Sequence, residues 1–475
     1  MTLLRHELTY HHDSAGLFGR IAHAPWAMML DSGQTINPST GAVGSSYGRY
    51  DIMVASPIAT LVTCGEQTTI TQNEQIETSA EDPFSLLKKL MARYQTPKIH
   101  EETKLKVPFS GGAVGYFAYD LARRLEKLSD TKSPENIPEM MIGIYDWALV
   151  VDHREQRSTL ISHGLSNETR QNWQTLCAMF EDPYLAIKNE FQVTSPMESN
   201  FTQARYNEAF KRVQAYITAG DCYQVNLAQR YSASVEGDGW VAYQLLRKVS
   251  PAPFMAYMHL PLNQNESFQV LSNSPERFIQ TVDSHVETRP IKGTRPRSGD
   301  AETDLAYSNE LLTSIKDRAE NLMIVDLLRN DIGKSCEIGS VKAEKLFQLQ
   351  SFTNVHHLVS IITGKLKQSA TAIDLLKGCF PGGSITGAPK VRSMQIINEL
   401  EPHRRGIYCG AIGYIGFDGN MDTNIAIRTA VICKNRLSFY VGGGIVADSD
   451  ASKEYAETLD KASSMMTIMK HFMRL

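Results

Sequence analysis

Between Tyr223 and Tyr231 the chain alternates, with Val225 and Leu227 pointing one way and Gln224 and Asn226 the other. Side chains in an extended chain repeat every two residues, so this pattern specifies a strand with one polar face. Just before it, Tyr206, Phe210, Val213 and Ile217 keep helical spacing, with Thr202 placed as an N-cap and Gly220 ending the run. Short strands and helices mixed in this way, with many hairpin-like turns, predict an α+β fold rather than a regular parallel α/β fold.

The rest of the chain repeats the mixture. Ile144 to Val151 and Phe278 to Val286 read as strand-like, as do Gly410 to Phe417 and Leu437 to Val441, while Ile425 to Val431 reads as strand or helix. A long helix is predicted from Tyr307 to Asn330, burying Leu311, Leu312, Ile315, Leu322, Val325 and Leu328. Met394, Ile397 and Leu400 mark another, and the chain ends in a Met-rich amphipathic helix whose methionines serve as core filler. The polar stretch Val193 to Asn200 is a seam between residues 1–193 and 200–475, two regions expected to interweave in one compact unit.

Composition excludes several classes. Lys+Arg 48 against Asp+Glu 52 leaves a net charge of -4, without the basic footprint of a nucleic-acid binder. No apolar run approaches the ~18 residues of a membrane span, and Met1 to His12 lacks the apolar core of a secretion signal. The seven cysteines (Cys64, Cys177, Cys222, Cys336, Cys379, Cys409 and Cys433) never stand in CxxC spacing, which predicts a reducing, cytoplasmic setting and no zinc site.

Several residues could carry chemistry. Lys292, in Thr288-Arg289-Pro290-Ile291-Lys292-Gly293-Thr294, sits between residues that fix the backbone. It is either a structural or phosphate-type contact or a nucleophilic amine. Asp317 and Glu320 stand three apart on one predicted helix, and Glu454 and Glu457 three apart on another. Each pair shares a helical face and alone reads as a solvated surface; brought together they would suit Mg²⁺. Glu276 is either a general acid or the partner of a cation such as Arg277. Arg428, among apolar neighbours, requires an anionic partner, and His357 reads as a core histidine. The Gly382 to Lys390 loop fails as a P-loop, because Ala388-Pro389 follow Gly387. Gly442-Gly443-Gly444 is either an anion-binding strand end or a tight turn.

Taken together, the chain from about Arg20 onward resembles the chorismate-utilising enzymes. Gly220 to Leu227, Ser274 to Phe278, Lys316 to Met323, Gly382 to Lys390 and Gly442 to Val446 occur in family order. The resemblance implies two packed antiparallel β-sheets flanked by helices, with the active site between them. It implies Mg²⁺ ligands at Glu320 and Glu457, with Asp317 and Glu454 holding metal-bound waters. Arg428 and Tyr414 would bind the enolpyruvyl carboxylate. The Gly442, Gly443 and Gly444 amides would hold the ring carboxylate, with Thr386, His357 and Lys461 nearby. Catalysis would fall to Lys292 and Glu276. Lys292 stands where anthranilate-forming members typically carry Ala, which implies amination of chorismate at C4, towards 4-aminobenzoate and folate, with anthranilate formation as the alternative. Gln224 stands where isochorismate- and salicylate-forming members place a Lys. No cysteine has the Gly-x-Cys-x-Gly flanks of a glutamine-hydrolysing elbow, so a separate glutamine amidotransferase subunit would supply ammonia. Ser32, Arg49 and Tyr50 match a tryptophan pocket of relatives.

Overall fold

The computed structural model describes residues 3–34, 48–94, 107–129, 132, 137–182, 189–351 and 355–473. Ser46, next to the expected tryptophan pocket, lies outside the described residues. Among those residues the chain builds two sheets, of 13 and 12 strands, in an α+β arrangement. Met28 and Val54 from one sheet meet Tyr116, Met141 and, back on the first, Phe268 in a shared apolar layer. Helices cover the outer faces. The C-terminal helix Ala451–Phe472 brings Met465 and Met469 against Trp240 and Tyr243 on one side, and Leu87, Ile324 and Leu376 pack on the other.

Both ends of the chain feed both sheets. In the larger sheet Ala27–Asp31 pairs with Phe254–Pro261, and in the smaller one Gly112–Phe117 pairs with Ala411–Gly416. The Ile144 to Val151 run is two strands rather than one: Met140–Tyr145 belongs to the smaller sheet and Trp147–Asp152 to the larger. The chain changes sheet at Asp146, whose fully buried carboxylate accepts from the Leu165 and Ser166 amides at 3.0 and 2.9 Å. The polar seam contributes the short strands Phe191–Val193 and Glu198–Ser199, both paired with Gln224–Gly237.

Two other expectations change. Phe278 to Val286 is a hairpin of Arg277–Val282 and His285–Thr288, turned by Asp283 and Ser284 at φ 48° and 68°. Two successive left-handed residues match the right-handed twist of the flanking strands. The long helix is broken into Ala301–Thr313 and Ile315–Gly333 by Ser314, which is extended and caps the second helix by accepting from the Asp317 amide. The break resets the helical phase. Leu311, Val325 and Leu328 are buried, whereas Ile315 and Leu322 are 85% and 51% exposed.

Candidate active site

At Gln224 and Asn226 the polar face of Gln224–Gly237 does not reach solvent. Gln224, 2% exposed, donates to Glu320 Oε1 at 2.6 Å, and its own Oε1 has no hydrogen-bond partner among the described residues. Glu320 projects from the helix Ile315–Gly333. It meets the Lys292 ammonium at 2.9 Å. Lys292 lies on Ile291–Pro296, where the pairing slips between Lys292 and Thr294 and Gly293 takes φ 78°. A side chain at Gly293 would also run into Leu311 and Asp317, so glycine is needed there both for conformation and for space.

Glu320, from the first acidic pair, lies along the same strand as Glu454 and Glu457 of the second, whereas Asp317 sits beside Gly293. A methyl on Gly443 would stand 3.2 Å from Glu454 Oε2 and 3.6 Å from Glu457 Oε1, and one on Gly444 would stand 3.2 Å from Glu320 Oε1. Two helices thus aim carboxylates at one strand, Arg436–Ile445, at the point where it carries no side chains. Lysines occupy these carboxylates: Lys292 on Glu320, and Lys461 on Glu457 at 2.6 Å. Lys461 also donates to the Gly442 carbonyl at 3.0 Å. No three His, Cys, Asp or Glu side chains close around one point among the described residues. The all-oxygen donors and the bare strand beside them fit a hard divalent cation, with ammonium groups standing where its charge would be. Asp317 is held by Arg295 at 3.2 Å and Glu454 by the Ser449 hydroxyl at 2.6 Å.

Burial sets the electrostatics. It raises the Glu276 carboxyl above the usual carboxylate range, against the opposing pull of Lys292. Burial pulls the Lys292 amine down, but Glu320, Glu276 and Glu457 outweigh it and hold the amine above its ordinary value. Burial acts on Glu320 too, yet Lys292 prevails and its carboxyl is lowered. Arg277 is not the partner of Glu276; it pairs with Asp422 and Glu287 at 3.0 and 2.8 Å. What holds Glu276 is Ser384, whose hydroxyl donates to Oε1 at 2.9 Å. Ser384 lies inside the Gly382 to Lys390 loop, but no serine-specific spacing in the sequence marks it.

Arg428, at φ 49°, has no carboxylate partner among the described residues, and burial lowers its pKa. A guanidinium held this way is ready for a carboxylate brought by a ligand. Burial and Arg428 push His357 down to about 3, so it stays neutral, 2.9 Å from the Thr294 hydroxyl. The Thr386 hydroxyl turns back onto the Gly382 and Gly383 carbonyls at 3.1 and 3.3 Å.

Tyr414 is not beside Arg428. It pairs with Asp422, three residues along the strand from the Ala411–Ile425 end that leads to Arg428, or ~10 Å at strand rise. Its ring packs 5.2 Å from Phe109 and lines a separate cavity of about 1030 Å³. Ser32, Arg49 and Tyr50 line the same cavity, with Arg277 and Asp422.

The comparisons agree with this fold. Residues 43–467 match the family described as chorismate binding enzyme. An aminodeoxychorismate synthase component 1 from Escherichia coli is 47% identical over 94% of this chain and 94% of its own length. The chain belongs to the chorismate-binding enzyme family and is a chorismate-utilising enzyme. An anthranilate synthase component 1 from Pseudomonas aeruginosa is 35% identical, over 94% of this chain and 91% of its own. The crystal structure of anthranilate synthase component I from Streptococcus pneumoniae superposes with a TM-score of 0.75 at 31% identity, covering 89% of this chain and 93% of that one. At family level the relative most alike of these three is thus one named for aminodeoxychorismate synthesis.

Proposed function

We propose that this enzyme replaces the C4 hydroxyl of chorismate with an amino group, giving 4-amino-4-deoxychorismate. The observation that supports it is the half-buried Lys292, on a glycine-permitted bulge, set with the buried acid Glu276 around one residue, Ser384. The amine adds to C2 as both ring double bonds shift, C1=C2 to C1=C6 and C5=C6 to C4=C5, and the C4–O bond breaks, with Glu276 giving the departing hydroxyl its proton. Ammonia then bonds to C4, both double bonds shift back and the lysine amine leaves C2. The proton lost by the new amine returns to Glu276. Lys292 must be neutral to attack, and burial favours that form once Glu320 is engaged elsewhere.

Glu320 and Glu457 would hold Mg²⁺, with Asp317 and Glu454 ordering its waters; there it would withdraw electrons from the ring carboxylate. Arg428 would bind the enolpyruvyl carboxylate, and the Gly442 to Gly444 strand the ring carboxylate. The designation of the relatives as component 1 supports a partner subunit, here a glutamine amidotransferase delivering ammonia. The cavity at Ser32, Arg49 and Tyr50 would take tryptophan. No helix of the described residues is long and apolar enough to cross a membrane, and all seven cysteines are free, which supports action in the reducing cytoplasm, on the route to 4-aminobenzoate and folate.

The test is mass spectrometry of the product from purified protein, chorismate, Mg²⁺ and an ammonium salt. The expected product is an aminated chorismate that a lyase converts to 4-aminobenzoate, and K292A should lose it. Anthranilate from the wild type, or unchanged C4 amination by K292A, sinks the proposal.

A further inference from the structure

We infer that Ser384 is a positioning residue that sets the Glu276 acid and the Lys292 amine in mutual register, one with its hydroxyl and the other with its carbonyl. This rests on the function proposed above. The hydroxyl donates to Glu276 Oε1 at 2.9 Å, and the carbonyl accepts from Lys292 Nζ at 3.3 Å. One residue thus touches both reacting groups, Lys292 on the strand Ile291–Pro296 and Glu276 in the link just before the strand Arg277–Val282.

The turn carrying it is pinned on every side. The Gly382 and Gly383 carbonyls accept from the Thr386 hydroxyl, and the Ile385 carbonyl accepts from buried Arg405 at 3.1 Å. With Lys292 on the Ser384 carbonyl, every carbonyl from Gly382 to Ile385 is satisfied. There is no space for drift: a methyl on Gly383 would stand 2.6 Å from Leu327, on the helix that bears Glu320, and one on Gly382 would stand 2.7 Å from Ile425. Ser384 itself is 9% exposed.

The chemistry uses this rigidity. A serine O–H donated to Oε1 makes that oxygen the acceptor, so the proton of the neutral acid resides on Oε2, free for the departing hydroxyl. The groups facing the carboxyl are the Ile291 amide and the Lys292 and Lys461 ammonium groups, with the Cys409 thiol also near. Of the side-chain donors only Ser384 has its position fixed by a closed turn. Removing it leaves an acid whose proton can sit on either oxygen and whose ionised form has lost a donor.

The test compares wild type, S384A, S384C and S384T by kcat and KM across pH, with chorismate, Mg²⁺ and ammonium. S384A and the weak donor S384C should lower kcat about ten-fold or more, with KM for chorismate changing little. Their alkaline limb should move to higher pH, since the carboxylate is less well stabilised. S384T keeps a hydroxyl and should recover most of the rate and the wild-type limb. An unmoved limb in both S384A and S384C, even with a lower kcat, would mean a structural role only and overturn the inference; so would S384T that matches S384A. Product identity for the wild type is read in the same assay. If the wild type makes anthranilate, the functional proposal falls on its own, separately from any Ser384 result.

Discussion

Replacing Gly444 with Ala asks whether the bare strand matters for space or only for backbone freedom. Gly444 lies in the extended strand Arg436–Ile445, where alanine is conformationally acceptable. The new methyl would overlap Gln224 Nε2 and stand 3.2 Å from Glu320 Oε1. Gln224 must then swing away and give up its 2.6 Å hydrogen bond to Glu320. A hydrogen bond to a charged group contributes about 1.5–3 kcal/mol, whereas Gly→Ala in compatible backbone stabilises by about 0.4–1 kcal/mol through the unfolded chain. The net loss of about 0.5–2.6 kcal/mol is modest for the stability of a chain this long but falls directly on the site. G444A should therefore unfold within a few degrees of wild type while kcat/KM for chorismate falls on the order of ten- to a hundred-fold. G333A is the control: its methyl meets nothing within 4 Å, and it should keep wild-type kcat/KM and unfold no lower than wild type. Steady-state kinetics and thermal unfolding on the same preparations decide the matter. Wild-type kcat/KM for G444A would refute the view that this strand is kept bare for the polar groups facing it.

Other consequences are as direct. Arg247 is fully buried, bonded to Asp31 at 2.8 Å and to Asp13, so R247M leaves the Asp31 carboxylate in the core; denaturant titration should show a loss of about 3–5 kcal/mol, and a loss below ~1 kcal/mol would contradict that reading. His357, held at about 3 in the folded protein against 6.5 normally, keeps its proton only when unfolded, so its contribution to stability is intact above pH 6.5 and is lost progressively as pH falls towards 3. At pH 5 the cost is about 2 kcal/mol; H357Q should flatten the fall in melting temperature between pH 6.5 and 4, and an unchanged slope would count against a neutral histidine.

What was legible in the sequence was set by local rules. The helix opened by Thr202 and ended by Gly220, and the alternating strand after it, depend on neighbouring residues alone, and they stand as Gln203–Thr218 and Gln224–Gly237. Failures came where one residue redirects the chain. Ser314 reads as an ordinary helix residue until its hydroxyl caps the next helix, and that single break exposes Ile315 and Leu322. Asp283 and Ser284 turn a hairpin without the Gly that usually signals one. In the site, carboxylate spacing showed which residues share a helical face, but only tertiary packing brings both faces to Gly443 and Gly444. Tyr414 was misplaced because side-chain direction and strand register cannot be read from a motif. Ser384 was missed because a bridging role lies in two long-range contacts, 108 and 92 residues away in sequence.

The shared sheets also set a timetable for synthesis. Gly112–Phe117 leaves the ribosome with one edge intended for Ala411–Gly416, roughly 300 residues later, which takes on the order of 15–60 s at common translation rates. Ala27–Asp31 waits in the same way for Phe254–Pro261. For that interval the nascent N-terminal part carries two open strand edges, the surface on which chains join one another wrongly. Expression should therefore depend on chaperone supply and on slow growth, and a chain cut at the polar seam after Val193 should yield fragments that aggregate apart and become tractable only when made together.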